Sequence, residues 1–152
     1  MIRIFLLSTI IMCLTSCSWQ EYFVISNLSQ SDLIVDYKLN EDEKGFSIFN
    51  NHPLLYKLNS SNEIDWNAQQ IPIDADTSQY GFKLTIPPHY TLIFGELSNE
   101  HYSAFDQYFI NGRSFNLKEL EIIQNHTAIK ILPSSFDRYF KKRNGIINFE
   151  IK

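Results

Sequence analysis

Two cysteines carry the most distinctive side-chain chemistry in this chain, and they lie four positions apart near its start. Cys13 and Cys17 are the only thiols among the 152 residues. The small residue Ser16 precedes Cys17, with Leu14 three positions before it, whereas the larger Met12 precedes Cys13. Modification of Cys17, together with loss of the residues before it, would leave no thiol for a disulfide, a nucleophile or a zinc site. The remaining chain must then be stabilised by its hydrophobic core alone.

The residues before Cys17 have the pattern of a cleavable export signal. Met1–Arg3 supplies a positive charge, and Ile4–Leu14 is an apolar run of 11 residues. Such a run suits a signal-peptide core and is well short of the roughly 20 residues that span a bilayer. Polar residues follow at Ser18, Gln20 and Glu21, which argues against an uncleaved membrane helix. A plain secretory signal that is cut elsewhere is the alternative.

Histidines and acidic clusters form no recognisable metal site in the sequence. The histidines have no partner at helical or strand spacing: His52, His89, His101 and His126. Asp74–Ser78 alternates oxygen-bearing residues as a calcium loop does, but it lacks the sixth-position glycine and the distal glutamate. It is more typical of a surface turn, and Glu41–Glu43 is more typical of a solvated loop, with weak cation binding as the alternative. We therefore predict neither a metal nor a cofactor.

The sequence carries no recognised catalytic motif, and we assign no catalytic residue. It has no Gly-x-Ser-x-Gly elbow, no glycine-rich phosphate loop and no His-Glu-x-x-His helix. Paired carboxylates for glycoside hydrolysis must converge through the fold and cannot be read from spacing. A hydrolase therefore stays as an alternative that a cleft with two facing carboxylates would support.

Trp66 is the one candidate ligand-binding residue. It lies in the polar stretch Asn62–Asn67, where an exposed indole could stack on a sugar ring. The alternative is structural: such a tryptophan often anchors a long loop to the core.

A basic patch precedes the last strand-like segment. It consists of Arg138, Lys141, Lys142 and Arg143. These side chains could contact anionic lipid headgroups, whereas lysines on an edge strand also prevent sheet-to-sheet aggregation, and we favour the second interpretation.

Charge and size bound the class of the mature domain. Removal of residues 1–16 leaves 136 residues, enough for one domain that buries about two-thirds of its unfolded surface. Arg3 leaves with the signal, so 12 basic residues face 17 acidic ones and the net charge is −5. A mildly acidic domain of this kind is a poor candidate for binding nucleic acid.

The elements that must position these residues are mostly strands. Leu33, Val35, Tyr37 and Leu39 alternate with polar residues, which is the period of a half-buried strand. Weaker strand patterns are Phe46–Phe49 and Leu54–Leu58. Phe82–Ile86 and Tyr90–Phe94 resume the alternation on either side of Pro87-Pro88, which marks a bend or a sheet edge.

Turn chemistry predicts three hairpins in the last third of the chain. Asn111-Gly112 and Asn144-Gly145 each separate strand-like segments, and Asn-Gly tolerates the positive φ of a type I′ turn. The second of these turns would join Phe136–Lys142 to a terminal strand Ile146–Ile151. Residues 124–127 would connect the third pair, Leu120–Ile123 and Ala128–Ile131. In the terminal strand the core side chains would be Ile147, Phe149 and Ile151.

These elements predict an all-β antiparallel sandwich with an immunoglobulin-like architecture, although no Cys-Trp-Cys framework is present. The sandwich is preferred to a barrel because the Pro-Pro break and irregular residues 59–81 suit two sheets joined by crossovers. One short helix is a further option near residues 99–109, where Tyr102, Phe105 and Phe109 have helical spacing after Asn99.

Leu14-Thr15-Ser16-Cys17 resembles the lipobox of bacterial lipoproteins. Two further motifs are an Asn-x-Ser turn before an alternating strand, in Asn27–Leu39, and an Ile-Pro-Pro step into another strand, in Ile86–Phe94. With them the chain resembles the small β-sandwich lipoproteins common in Bacteroidetes. The resemblance implies cleavage before Cys17 and a lipid anchor, with palmitate-type acyl chains, on that residue. Residues 1–16 are then the signal, 17–21 a tether and 22–152 the domain.

The resemblance implies a location but no chemistry. Ser18 is not the aspartate that retains enterobacterial lipoproteins in the inner membrane, so we expect the outer membrane. The expected function is a non-catalytic module that binds an envelope protein or a glycan. The alternatives are glycan binding by Trp66 and hydrolysis.

Overall fold

The computed structural model describes residues 18–41, 46–71, 73, 76–78, 80–125 and 127–152. Its strands are β1 (Gln20–Asn27), β2 (Leu33–Leu39), β3 (Phe46–Ser47), β4 (Phe49–Lys57), β5 (Asp76–Ser78), β6 (Gly81–Ile86), β7 (Tyr90–Ser98), β8 (Arg113–Ser114), β9 (Leu117–Gln124), β10 (Thr127–Ile131), β11 (Lys141–Arg143) and β12 (Ile146–Ile151). A 3-10 turn, Pro133–Ser135, leads into one short helix, α1 (Phe136–Tyr139).

Several sequence predictions fall outside the described residues. They concern the signal and Cys17, the acidic loop beyond Glu41, the start of the Asp74–Ser78 turn, and His126. Along the described ranges, no helix has the length and apolar character needed to cross a membrane.

Two five-stranded sheets make up the fold, which confirms the predicted all-β class. In the first sheet the strand order is β11-β12-β1-β7-β4, and in the second it is β10-β9-β2-β6-β5. Neighbouring strands in both sheets are antiparallel, except that β1 and β12 are parallel. In the described part of the chain a third, two-stranded sheet pairs β3 with β8 in parallel.

The core lies between the two large sheets and is rich in aromatic rings. The alternation predicted for β2 is confirmed, because Leu33, Val35 and Tyr37 are fully buried. Tyr37 stacks on its cross-strand partner Phe82 with ring centroids 4.9 Å apart. Such ring pairs add to the free energy gained by burying apolar area.

Gly95 allows an aromatic ring to pack directly on the backbone of β7. The pairing of β1 with β7 shifts by one residue here, because Phe23 pairs with Gly95 while Val24 pairs with Ile93. A Cβ atom built on Gly95 would lie only 2.8 Å from Cδ1 of Phe49. The irregularity in β7 therefore depends on a residue without a side chain.

Two of the three predicted hairpins are present. β11 and β12 pair across Asn144-Gly145, whose φ values of 51° and 77° are those of the predicted turn type. β9 and β10 form the second hairpin: they pair antiparallel, from Gln124 opposite Thr127 beside the turn to Leu120 opposite Ile131.

The hairpin predicted at Asn111-Gly112 is wrong. The two residues of β8 that follow this turn pair with β3 rather than with residues 107–110. Those residues form no strand: the Gln107 side chain donates to the carbonyl of Pro133, and the backbone N–H of Ile110 donates to Glu100. The Asn-Gly dipeptide alone did not cause the segments before and after it to pair with each other.

Residues 99–109 contain no helix, so the helical option for this segment is wrong. That segment is a loop in which Tyr102 and Phe109 are buried and Phe105 has a φ of 64°. The helix is α1, within the segment predicted as a strand. Its signal is the four-residue spacing of Phe136 and Phe140, whose rings stack at 4.0 Å in the core.

The outer faces of the two sheets differ in chemistry. On the second sheet, Glu119 is ion-paired with Lys38 and Lys130, and this face is charged. On the first sheet, Val24, Tyr56 and Ile93 form a small buried apolar cluster, which residues 59–71 cover. The loop that contains Trp66 therefore packs on the apolar outer face.

Candidate functional site

One end of the sandwich brings together the start of β1, the loop after β7 and the segment from α1 to the β11–β12 turn. The backbone N–H of Tyr22 donates to the carbonyl of Gly145 at 2.9 Å, and that of Asn99 donates to Trp19 at 3.0 Å. We call this the entry end, defined as residues 19–21, 99–112 and 136–145, because the chain enters the fold here. β1 begins at Gln20, two residues before the start that the sequence predicted for the domain.

Glu21 occupies an inward position at the entry end and is almost fully buried. Its Oε1 lies 2.7 Å from Nδ1 of His101 and 2.5 Å from Nζ of Lys142, and its Oε2 accepts the backbone N–H of Tyr102 at 2.8 Å. Burial alone would raise the pKa of this carboxyl, but the hydrogen bonds from His101, Lys142 and Tyr102 outweigh it and lower the pKa below 4.5. Glu21 is therefore an ionised structural acceptor at neutral pH.

Asp137 is a second buried carboxylate at the entry end. Its Oδ1 accepts the hydroxyl of Tyr102 at 2.8 Å, and its Oδ2 accepts the backbone N–H of Phe105 at 2.9 Å. Burial, together with this hydrogen bond and the charge of Asp137, raises the pKa of Tyr102. Tyr102 therefore bonds to both carboxylates: its backbone N–H donates to Glu21 and its hydroxyl donates to Asp137.

The geometry gives the hydrolase alternative no support at these carboxylates. A general acid must hold a proton to donate, which requires a raised pKa. Glu21 has a lowered pKa, and both Glu21 and Asp137 accept hydrogen bonds from the protein itself. Their observed role is to hold the entry end together.

Trp66 is both a loop anchor and an exposed ring. Its ring centroid lies 5.2 Å from that of Tyr22 and 5.5 Å from that of Tyr56, yet 51 % of the residue is exposed. The Gln70 amide donates to the Tyr56 hydroxyl, and the Tyr22 hydroxyl donates to the side chain of Gln20. We call Tyr22, Tyr56, Trp66 and Gln70 the Trp66 surface.

The structure does not bring together the three histidines whose positions it describes. His52 and His89 are exposed in separate parts of the fold, and His101 belongs to the Glu21 network. Among the residues with described positions, no three histidine, cysteine, aspartate or glutamate side chains are grouped as metal ligands.

The basic patch lies at the entry end and partly on a sheet edge. Lys141, Lys142 and Arg143 form β11, the edge strand of the first sheet, and Arg138 lies in α1. Lys141 also donates to the backbone carbonyl of Asp137, and Lys142 to that of Tyr102. These residues therefore lie partly on a sheet edge and also bond to the other segments of the entry end.

Sequence reasoning identified Trp66 and the basic patch but missed Glu21 and Asp137. Glu21 was assigned to the tether, although it continues the inward alternation of Phe23 and Ile25. That alternation is the signal that could have placed it. Asp137 gave no signal, because its partners are more than 30 residues away in sequence.

Comparison of the chain with protein-family models, with curated proteins and with solved structures finds no significant match. The proposals below therefore depend on the sequence pattern and on the geometry of the entry end and the Trp66 surface.

Proposed function

We propose that this chain is the precursor of an outer-membrane lipoprotein, anchored through Cys17, whose β-sandwich is a non-catalytic binding module of the cell envelope. The observation that carries the binding role is the Trp66 surface. A half-exposed indole held by two tyrosines gives a rigid aromatic contact at little entropic cost, which is typical of recognition surfaces. The lipid anchor is supported by the residues from Leu14 to Cys17 and by the start of the fold three residues after Cys17.

The lipid anchor is tested by metabolic labelling with a fatty-acid analogue. We expect the parent chain to carry the label and a Cys17→Ser variant to lose it, with a Cys13→Ser variant as the matched control that keeps it. Label that persists on Cys17→Ser would contradict the anchor.

The binding role is tested by photo-cross-linking in intact cells. A cross-linking amino acid at the exposed Asn67, beside Trp66, should capture an envelope component that the same group at Lys83 does not capture. Lys83 is the control because it is exposed on the second sheet. Equal products from both positions would contradict a specific binding face.

Glycan binding is a second candidate function, favoured by the exposed side-chain amide of Gln70 beside the half-exposed indole. Since the chain has two tryptophans, Trp19→Phe leaves Trp66 as the only one. Oligosaccharides of envelope polymers should then change its fluorescence, and Gln70→Ala should weaken the effect. An unchanged spectrum across the panel would count against a glycan and leave a protein partner.

A further inference from the structure

The entry end presents three of the most exposed apolar side chains in the described part of the molecule. Phe105 is 77 % exposed, Tyr108 is 80 % exposed and Ile110 is 85 % exposed. All three belong to residues 103–110, which we call the apolar loop. Clustered exposed apolar side chains mark an interaction surface more often than isolated ones do.

The fold holds the apolar loop in place. Tyr102 and Phe109 anchor its two ends in the core, and Gln107 donates to the carbonyl of Pro133 at 2.9 Å. Asp137 accepts the N–H of Phe105, whose left-handed φ of 64° is costly for a bulky residue. The loop is thus built to direct its apolar side chains into solvent.

Four basic residues lie at the same end of the fold as the apolar loop. Arg138, Lys141, Lys142 and Arg143 are four of the 13 lysines and arginines in a chain whose net charge is negative. The ammonium group of Lys142 donates to the carbonyl of Tyr102, immediately before the loop. The entry end also carries four carboxylates. Glu21 and Asp137 are buried, and Glu21 pairs with Lys142. Glu100 accepts the N–H of Ile110 and Asp106 accepts that of Tyr108, so the basic side chains outnumber the acidic ones only among those that reach the surface.

The chain also enters the fold beside this loop. Trp19 is 44 % exposed and stacks on His101 with ring centroids 5.0 Å apart. Trp19 therefore lies at the same end of the sandwich as the loop and the basic residues. An anchor on Cys17 would bring this end, rather than the opposite one, to the membrane.

We propose that the entry end rests on an anionic lipid surface, with Phe105, Tyr108 and Ile110 inserted at the headgroup level. This inference depends on the proposed lipid anchor for its location. Aromatic rings favour the membrane interface, and the basic side chains are attracted to anionic headgroups. The contact fixes the orientation of the anchored domain and leaves the Trp66 surface, on the outer face of the first sheet, at its side.

The experiment places a fluorescent label on the full, processed chain in vesicles. If Cys17 is lipidated, an introduced cysteine is the only free thiol, so Ile110→Cys takes up one label at the loop. Gln30→Cys, exposed beyond the opposite end of β1, is the matched control. In vesicles of phosphatidylglycerol and phosphatidylcholine, we expect nitroxide-bearing lipids to quench the label at position 110 and to leave the label at position 30 unquenched.

The charge contribution is tested in the same vesicles. Arg138→Gln with Arg143→Gln should reduce quenching at position 110, whereas Lys57→Gln with Lys83→Gln, exposed away from the entry end, should not. Vesicles of phosphatidylcholine alone should also reduce it, as should salt that screens the headgroups. Quenching at 110 that is insensitive to all three would overturn the proposed electrostatic contact.

Two further outcomes separate the possible failures. A folded protein whose label at position 110 stays unquenched would overturn the membrane contact. So would a protein in which position 110 is covered only by a second copy of the chain, as detected by cross-linking. Label uptake by the parent chain at Cys17 would instead contradict the lipid anchor. In that case Ile110→Cys is combined with Cys13→Ser and Cys17→Ser so that position 110 again carries the only label, and quenching on added vesicles decides whether the loop binds lipid.

Discussion

At the scale of single residues, Tyr102 is the junction of the entry end. Its N–H reaches the carboxylate of Glu21, its hydroxyl reaches Asp137 and its carbonyl accepts a bond from Lys142. In the described residues no buried side-chain polar atom lacks a hydrogen-bond partner. A fully satisfied polar network of this kind rigidifies the structure, whereas loss of one member leaves the others unpaired.

Replacement of Glu21 should make stability less dependent on pH. The pKa of Glu21 is lowered in the fold from an ordinary value of 4.5, so its contribution is present above that pH and is lost as the pH falls through the folded pKa. We expect Glu21→Gln to cost about 1.5–3 kcal/mol at neutral pH, because bonds to a buried charge are lost. Urea unfolding should show this difference shrinking in acid.

The exposed Glu150→Gln serves as the control for Glu21→Gln and should change the stability by no more than about 0.5 kcal/mol, because Glu150 pairs only with the exposed Lys152. A Glu21→Gln deficit that stayed constant down to acid pH would show that the ionised carboxylate is not the stabilising species.

Phe105 offers a test of stored backbone strain. Because its φ is positive and its side chain is exposed, Phe105→Gly should be about 1 kcal/mol more stable than Phe105→Ala. At Tyr108, which is not among the residues with positive φ, the order should reverse, because glycine there only adds entropy to the unfolded chain. Thermal melting of the four variants measures both differences, and the same order at both positions would contradict the strain.

At the scale of elements, the two Asn-Gly turns show how far local sequence determines pairing. Asn144-Gly145 joins β11 to β12 as predicted, since Ile147 and Ile151 alternate beyond it and bury in the core. Asn111-Gly112 also turns the chain, but its flanks bond to side chains and to β3 instead of to each other. The local sequence determined both turns, whereas hydrogen bonds to distant residues determined which turn joins two paired strands.

The irregular point in β7 should not tolerate a methyl group. Gly95→Ala places a Cβ against Phe49 and 3.0 Å from the carbonyl of Ile48, so we expect a loss of about 1–3 kcal/mol from overpacking. Phe49→Leu should reduce that additional loss in the double variant, because the ring is the nearer obstacle. Denaturant unfolding of the double-mutant cycle tests this, and strict additivity would place the strain elsewhere.

At the scale of the molecule, the sequence predicted the architecture better than the site. Alternating apolar residues and turn residues were enough to predict a β-sandwich, because the alternation that marks each strand lies within that strand's own sequence. The entry end draws on residues 19–21, 99–112 and 136–145, and no local pattern connects them. Trp66 could be found because its type and its polar neighbours are unusual, whereas the outward position of Phe105 depends on Asp137, which is 32 residues away.

Deletion of β12 should unfold the whole domain. This strand lies between β11 and β1 and buries Ile147 and Ile151, while Phe149 is only partly buried. We expect Ile147→Ala to cost about 2–5 kcal/mol and Phe149→Ala to cost less than the roughly 3–5 kcal/mol of a fully buried ring. Removal of Ile146–Lys152 should abolish cooperative thermal melting. Cooperative melting of the truncated chain at the parent's temperature would show that β12 is dispensable.

The parallel pairing of β1 with β12 also sets an order in time. The first strand of the fold needs the last one as its neighbour, and Ser26 bonds to Asn148, 122 positions later. Contacts this distant in sequence form late, after a large loss of chain entropy. While the polypeptide is being synthesised, β1 therefore has an unoccupied edge until residue 151 has emerged. Until then, the backbone groups of Tyr22–Asn27 that pair with β12 remain open to solvent.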